Sequence, residues 1–64
     1  PAMDPVIAAL GDEDDDVRKR AADILAGIGD VRAIGALEGI FNDEDWYVRR
    51  AAVEAVERIR ERGG

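Results

Sequence analysis

Apolar residues recur along the chain at helical rather than strand spacing. Val17, Ala21, Ile24, Leu25 and Ile28 stand at i, i+4, i+7, i+8 and i+11, and Val48, Ala52, Ala55, Val56 and Ile59 repeat the same intervals. Each set predicts one apolar stripe on an amphipathic helix, the first over about 15–28 and the second over about 46–62. Between them, Ile34, Leu37, Ile40 and Phe41 mark the inward positions of a helix over about 31–41. Upstream, "DPVIAALGDED" reads as a shorter copy of that helix over about 4–10, with Pro5 in its first turn and Gly11 near its end. The polar positions punctuate these stripes. Asp14 and Asp45 stand just before the two long helices, where a carboxylate accepts unpaired N–H groups and meets the positive end of the helix dipole. Gly27 and Gly29 in "GIGD" stop the first long helix and Asp30 caps the next. So short a turn sets the two helices antiparallel. In the last helix Arg60 and Glu61 replace Gly29 and Asp30, so it is expected to run on to about Arg62, with Arg58, Arg60 and Arg62 near its negative end and the look of a terminus.

The stripes belong to a longer repeat. An offset of 31, from Val17 to Val48, also carries Asp12 to Asp43, Glu13 to Glu44, Asp14 to Asp45, Arg18 to Arg49, Ala21 to Ala52 and Ile28 to Ile59. Self-similarity at this period marks a solenoid unit. The expected fold is all-α, an α-solenoid fragment of antiparallel helix pairs in one domain over 1–64. It divides into a half repeat at 4–11, a full repeat at 12–42 and a half repeat at 43–62 with an extended terminal helix. "PAM" adds nothing to the repeat, and 1–3 reads as a cloning remnant.

The segment "DEDDDVRKRAADILAGIGDVRAIGALEGIFNDEDWYVRRAAVEAVERI" resembles the HEAT-like repeats of the phycobilisome-lyase type, roughly D-x-D-x-x-V-R-x-x-A-A-x-x-L-x-x-I-G-D-x-x-A-I-x-x-L. The likeness runs from Asp4 to Ile59. The chain is similar also to artificial consensus proteins built from such repeats, particularly in "DEDWYVRRAA". The resemblance implies a structural ladder, in which an aspartate of the inter-helix turn and the arginine after the valine tie neighbouring units together. The matching positions are Asp12 with Arg18 and Asp43 with Arg49. It does not imply one activity, because such repeats occur in unrelated roles.

Composition narrows the function classes. A net charge of −6 opposes nucleic acid and anionic membrane surfaces as partners, since both are bound largely through Lys and Arg. No apolar stretch approaches the roughly 20 residues of a membrane span, and the expected location is the cytoplasm. The chain has no His, Cys, Ser or Thr, so the ordinary nucleophiles and the usual zinc or iron ligands are missing. The acidic run Asp12 to Asp16 lacks the glycine and distal glutamate of an EF-hand loop and reads as a capped, solvated first turn. Catalysis, a cofactor and a metal are therefore not expected.

Trp46 and Tyr47 stand where the earlier copy has Asp15 and Asp16. Either they cover the end of the core or they anchor an interface, and Val53, off the main stripe, leans toward the second. Three or more units are usually needed before such an array is stable, and about two are present here. Val6, Ile7 and Leu10 on the short first helix have little to cover them. The expected function is a protein-binding or scaffolding module that forms homo-oligomers through Val6, Ile7, Leu10, Trp46, Tyr47 and Val53. The alternative is a regulatory or accessory subunit of a larger enzyme.

Overall fold

The computed structural model describes residues 3–63. Its helices are α1 (Met3–Ala9), α2 (Asp15–Ile28), a 3-10 turn (Val31–Ala33) leading into α3 (Ile34–Glu38), and α4 (Trp46–Gly63). Of the segment read as a cloning remnant, Pro1 and Ala2 lie outside the described residues, while Met3 opens α1. The two long helices, α2 and α4, pack directly on each other; α1 lies on α2, and α3 lies on α4. The slab measures 31 × 24 × 16 Å, and its thin dimension leaves room for two layers of helix at axis separations of about 8–10 Å.

The α2–α4 contact is close because its residues are small. Ala22 and Ala26 of α2 and Ala51 and Ala55 of α4 are all buried, Ala21 is buried on the side of α1, and Leu25, Leu37, Val56 and Ile59 fill the space between the layers. Alanine is also the best helix former, so the same residues serve local and tertiary structure. Gly29 ends α2 in the left-handed region at φ 72°, and its N–H donates to the Leu25 carbonyl at 3.0 Å. A side chain there would be strained by that φ and would meet Arg62 at 3.2 Å.

Three expectations change. The third helix is not continuous over 31–41. It begins as a 3-10 turn, is α-helical only over Ile34–Glu38, and leaves through i→i+3 bonds from Ile40 to Leu37 and Phe41 to Glu38. Gly35 and Gly39 weaken it, and Asp30 fixes its start by accepting the Arg32 N–H. Next, Leu10 is not bare: it is 3% exposed and belongs to the core, because the chain tightens after Ala9 and turns its side chain inward. Val6 and Ile7 are half-buried against the same core.

Lastly, the stripe read on α2 is displaced. Ile24 and Ile28 are 52% and 51% exposed, whereas Ala55 and Ile59, their counterparts in α4, are fully buried. The reason is that a helix in a stack has two sides. The side of α4 that carries Ala55 and Ile59 meets α2, and the same side of α2 faces away from α4. The side of α2 that does meet α4 carries Ala22 and Ala26, whose counterparts Val53 and Glu57 are exposed. The same periodic position is thus core in one helix and surface in the other.

Leu25→Ala or Ile59→Ala should each cost about 2–5 kcal/mol, about half of the roughly 3–10 kcal/mol a chain of this size commands. Ile28→Ala should cost less than about 1 kcal/mol. Urea unfolding in dilute solution, followed by circular dichroism, separates the two classes.

Candidate functional site

Two turns of like sequence, Asp12–Asp14 and Asp43–Asp45, lead into α2 and α4. In each, the first carboxylate accepts the backbone N–H two residues on, Asp14 to Asp12 Oδ1 and Asp45 to Asp43 Oδ1, both at 2.9 Å. The third residue then caps the helix. Asp14 accepts the Asp16 N–H at 2.8 Å, and Asp45 accepts those of Tyr47 and Val48 at 2.8 and 3.1 Å. Short polar side chains favour such local bonds over helix continuation, which is why the chain turns there.

Arg18 joins the two turns. Its Nε and Nη2 donate to Asp43 Oδ2 and Oδ1 at 2.8 and 3.1 Å, a bidentate pair. Its Nη1 donates to the carbonyls of Asp12 and Glu13 at 2.8 and 2.9 Å. Arg18 is 8% exposed and is the buried charged residue of the core. Among the described residues no buried side-chain polar atom lacks a partner. In this geometry the carboxylate of one unit meets the arginine of the unit before it, while within a unit the arginine reaches the aspartate through its carbonyl. Arg49 does the latter, donating to the Asp43 carbonyl at 2.8 Å. The carboxylate of Asp12 serves its own turn, and among the described residues no arginine side chain reaches it.

Charge is redistributed around this junction. Burial pushes the Asp43 carboxyl upward, but hydrogen bonds from Arg18 and the Asp45 N–H, with the charges of Arg18 and Arg49, prevail and hold it below its ordinary value. Hydrogen bonding between Asp15 and Asp45 raises Asp15 and lowers Asp45. Asp30 is held at about 2 by hydrogen bonds from the Arg32 side chain and N–H. Among the described residues no cluster of three or more His, Cys, Asp or Glu could hold a metal ion, and no helix is long and apolar enough to cross a membrane.

Two exposed faces flank the core. On the outer side of α4, Trp46 and Val53 are 52% and 41% exposed, while Tyr47, 64% exposed, lies at the edge of α4 beside Asp16 and Lys19 of α2. Trp46 packs edge-on to Tyr47 with centroids 5.2 Å apart, and Arg50 lies over the indole at 5.4 Å. A shallow depression of about 450 Å³ runs from Phe41 to Trp46, Arg49 and Val53. On the outer side of α2 lies an apolar trough of about 240 Å³, lined by Pro5, Val6, Ala9, Val17 and Ile24 among others. Val6 therefore borders an open face, whereas Leu10 does not.

The residue pattern matches the family model for HEAT repeats over residues 3–63. The chain belongs to the HEAT-repeat family. None of the curated proteins compared with it matches. HEAT repeats mediate protein–protein interaction or scaffolding, and the family is typically non-catalytic. In this HEAT-repeat chain three features escaped the sequence reading. Ile24 and Ile28 open onto the surface, Asp15 comes beside Asp45, and Arg62 Nη1 caps the end of α2 rather than of its own helix, donating to the Ala26 and Gly27 carbonyls at 3.1 and 2.8 Å. The replacement of Gly29 and Asp30 by Arg60 and Glu61 was the available signal for the last, since it extends α4 far enough to reach.

Asp43→Ala should lower the melting temperature by on the order of 10 °C, because it strands a buried guanidinium. Asp12→Ala should cost several times less, losing only a turn bond. Since Asp43 is depressed in the folded state, its contribution is complete above the ordinary carboxylate value of 3.8 and is lost as pH falls through its folded value. Melting curves of the wild type should drop with acid in that range, and those of Asp43→Asn should be flatter.

Proposed function

We propose that this HEAT-repeat chain is a non-catalytic interaction or scaffolding module of the cytoplasm that associates with copies of itself through the outer faces of α2 and α4. The observation that carries the reading is the half exposure of Ile24 and Ile28, at positions whose counterparts in α4 are fully buried. A face built to the same pattern as an internal junction is suited to the same kind of partner. Trp46, Tyr47 and Val53 on α4 support it, since exposed aromatics are favoured interface anchors. Val6 and Ile7 contribute from the side of α1, and Leu10 supports them from within the core.

The residue inventory supports the non-catalytic part. The chain holds no Ser, Thr, Cys or His, and Asp14, Asp30, Asp43 and Asp45 are engaged in caps and turns. Nucleic acid is a poor partner for a surface of net charge −6.

Light scattering coupled to sedimentation at micromolar concentration is expected to give a mass well above the 6.9 kDa of one chain, falling on dilution. A mass that stays at one chain across that range overturns the reading.

A further inference from the structure

We propose that copies of this chain join head to tail, with Arg49 of one copy binding Asp12 of the next as Arg18 binds Asp43 inside the chain. The inference rests on the self-association proposed above and specifies its register. One period of 31 residues takes Arg18 to Arg49. The same step from Asp43 leads to the first aspartate of a following unit. With copies set two periods apart, that aspartate is Asp12 of the next copy.

Both half-sites are already formed. Asp12 is held by the Asp14 N–H at 2.9 Å, as Asp43 is held by the Asp45 N–H at 2.9 Å. Arg49 is anchored to the Asp43 carbonyl at 2.8 Å, as Arg18 is to that of Asp12 at 2.8 Å. What distinguishes Arg18 and Asp43 is that they have each other. Arg49 and Asp12 carry opposite charges on opposite outer faces, so one copy supplies what its neighbour lacks.

The surrounding surfaces fit the same arrangement. Inside the chain, α4 lays Ala55 and Ile59 against α2; the next copy would lay Ile24 and Ile28 of its α2 against the preceding α4. At two positions where the internal junction has alanines, the outer faces have charges of opposite sign: Glu57 on α4 in place of Ala26, and Arg20 on α2 in place of Ala51. Val53 replaces Ala22 and supplies bulk toward the apolar trough beside Ile24. The helix order also continues, because α1 of the next copy is already seated on its α2 in the way that α3 is seated on α4. A symmetric pairing of two α4 faces would leave Asp12 without Arg49. The contact is therefore heterologous and propagates into an open assembly.

The experiment is a charge exchange. Asp12→Arg and Arg49→Asp should each weaken association roughly tenfold or more, because each sets like charges against each other. An equimolar mixture of the two should recover most of it, since every junction then pairs opposite charges. Circular dichroism checks that each variant keeps its helices; where one does not, Asp12→Asn and Arg49→Gln carry the test, each weakening association alone, while mixing restores the Arg49–Asp12 junction in one order only, so recovery should stop at pairs of chains. If the wild type associates and all of these variants associate equally well, the register is wrong while self-association stands. A wild type that closes into dimers unaffected by the exchange identifies a symmetric interface and overturns the inference as well. A wild type that remains a single chain overturns both.

Discussion

A guanidinium with almost no contact with water holds the two halves of the molecule in register. Arg18 is costly to bury alone, and it is not alone: Asp43 takes one edge in a bidentate pair, and the carbonyls of Asp12 and Glu13 take another nitrogen. These acceptors sit on two turns that lead into different helices. Satisfying the arginine therefore fixes how the turn before α2 stands relative to the turn before α4. The alanines along the two helices then allow the approach that those bonds require. Larger residues there would push the turns apart and leave the charge unpaired.

The charge pattern of the chain follows from the ends of its helices. Acidic side chains gather before and within the first turn of α2 and before α4, where they accept N–H groups and meet the positive ends of the dipoles. Arginines gather toward the end of α4, where Arg62 crosses to the carbonyls that end α2, and Arg60 lies 3.3 Å from Glu38. A net charge of −6 is thus compatible with a small fold, because much of the acid lies where helix geometry favours it. The exposed i,i+4 pairs Asp16–Arg20, Lys19–Asp23 and Arg50–Glu54 add little, as exposed pairs generally do.

A solenoid helix makes the same residue pattern serve two different surfaces. In α4 the pattern is spent on α2. In α2 it is left open beside the trough, and the face that contacts α4 uses alanines outside the stripe. The chain consequently presents two unlike outer faces, one with Ile24 and Ile28 and an acidic turn whose Asp12 carboxylate meets no arginine side chain among the described residues, the other with Trp46, Val53 and a half-anchored arginine. Unlike faces on opposite sides lend themselves to head-to-tail contact more readily than to symmetric contact.

The period of 31 residues, the helical spacing and the Asp and Gly punctuation were legible in the sequence because each is a local requirement: a turn needs its acceptor, and a helix end needs its cap or its left-handed glycine. They determined the family, the all-α architecture and the bounds of α2 and α4 to within a residue or so. What they left undetermined depends on neighbours. Ile24 and Ala55 occupy one periodic position, and only the presence of a helix beside one of them makes it core. Leu10 is buried because the chain tightens after α1, and Arg62 finds the end of α2 because packing brings α4 across it. The interface set of Val6, Ile7, Leu10, Trp46, Tyr47 and Val53 was therefore divided by the tertiary structure between core and surface. Periodicity specifies which residues share a side of a helix, but burial is decided by what stands opposite that side, and this is a property of the packed molecule.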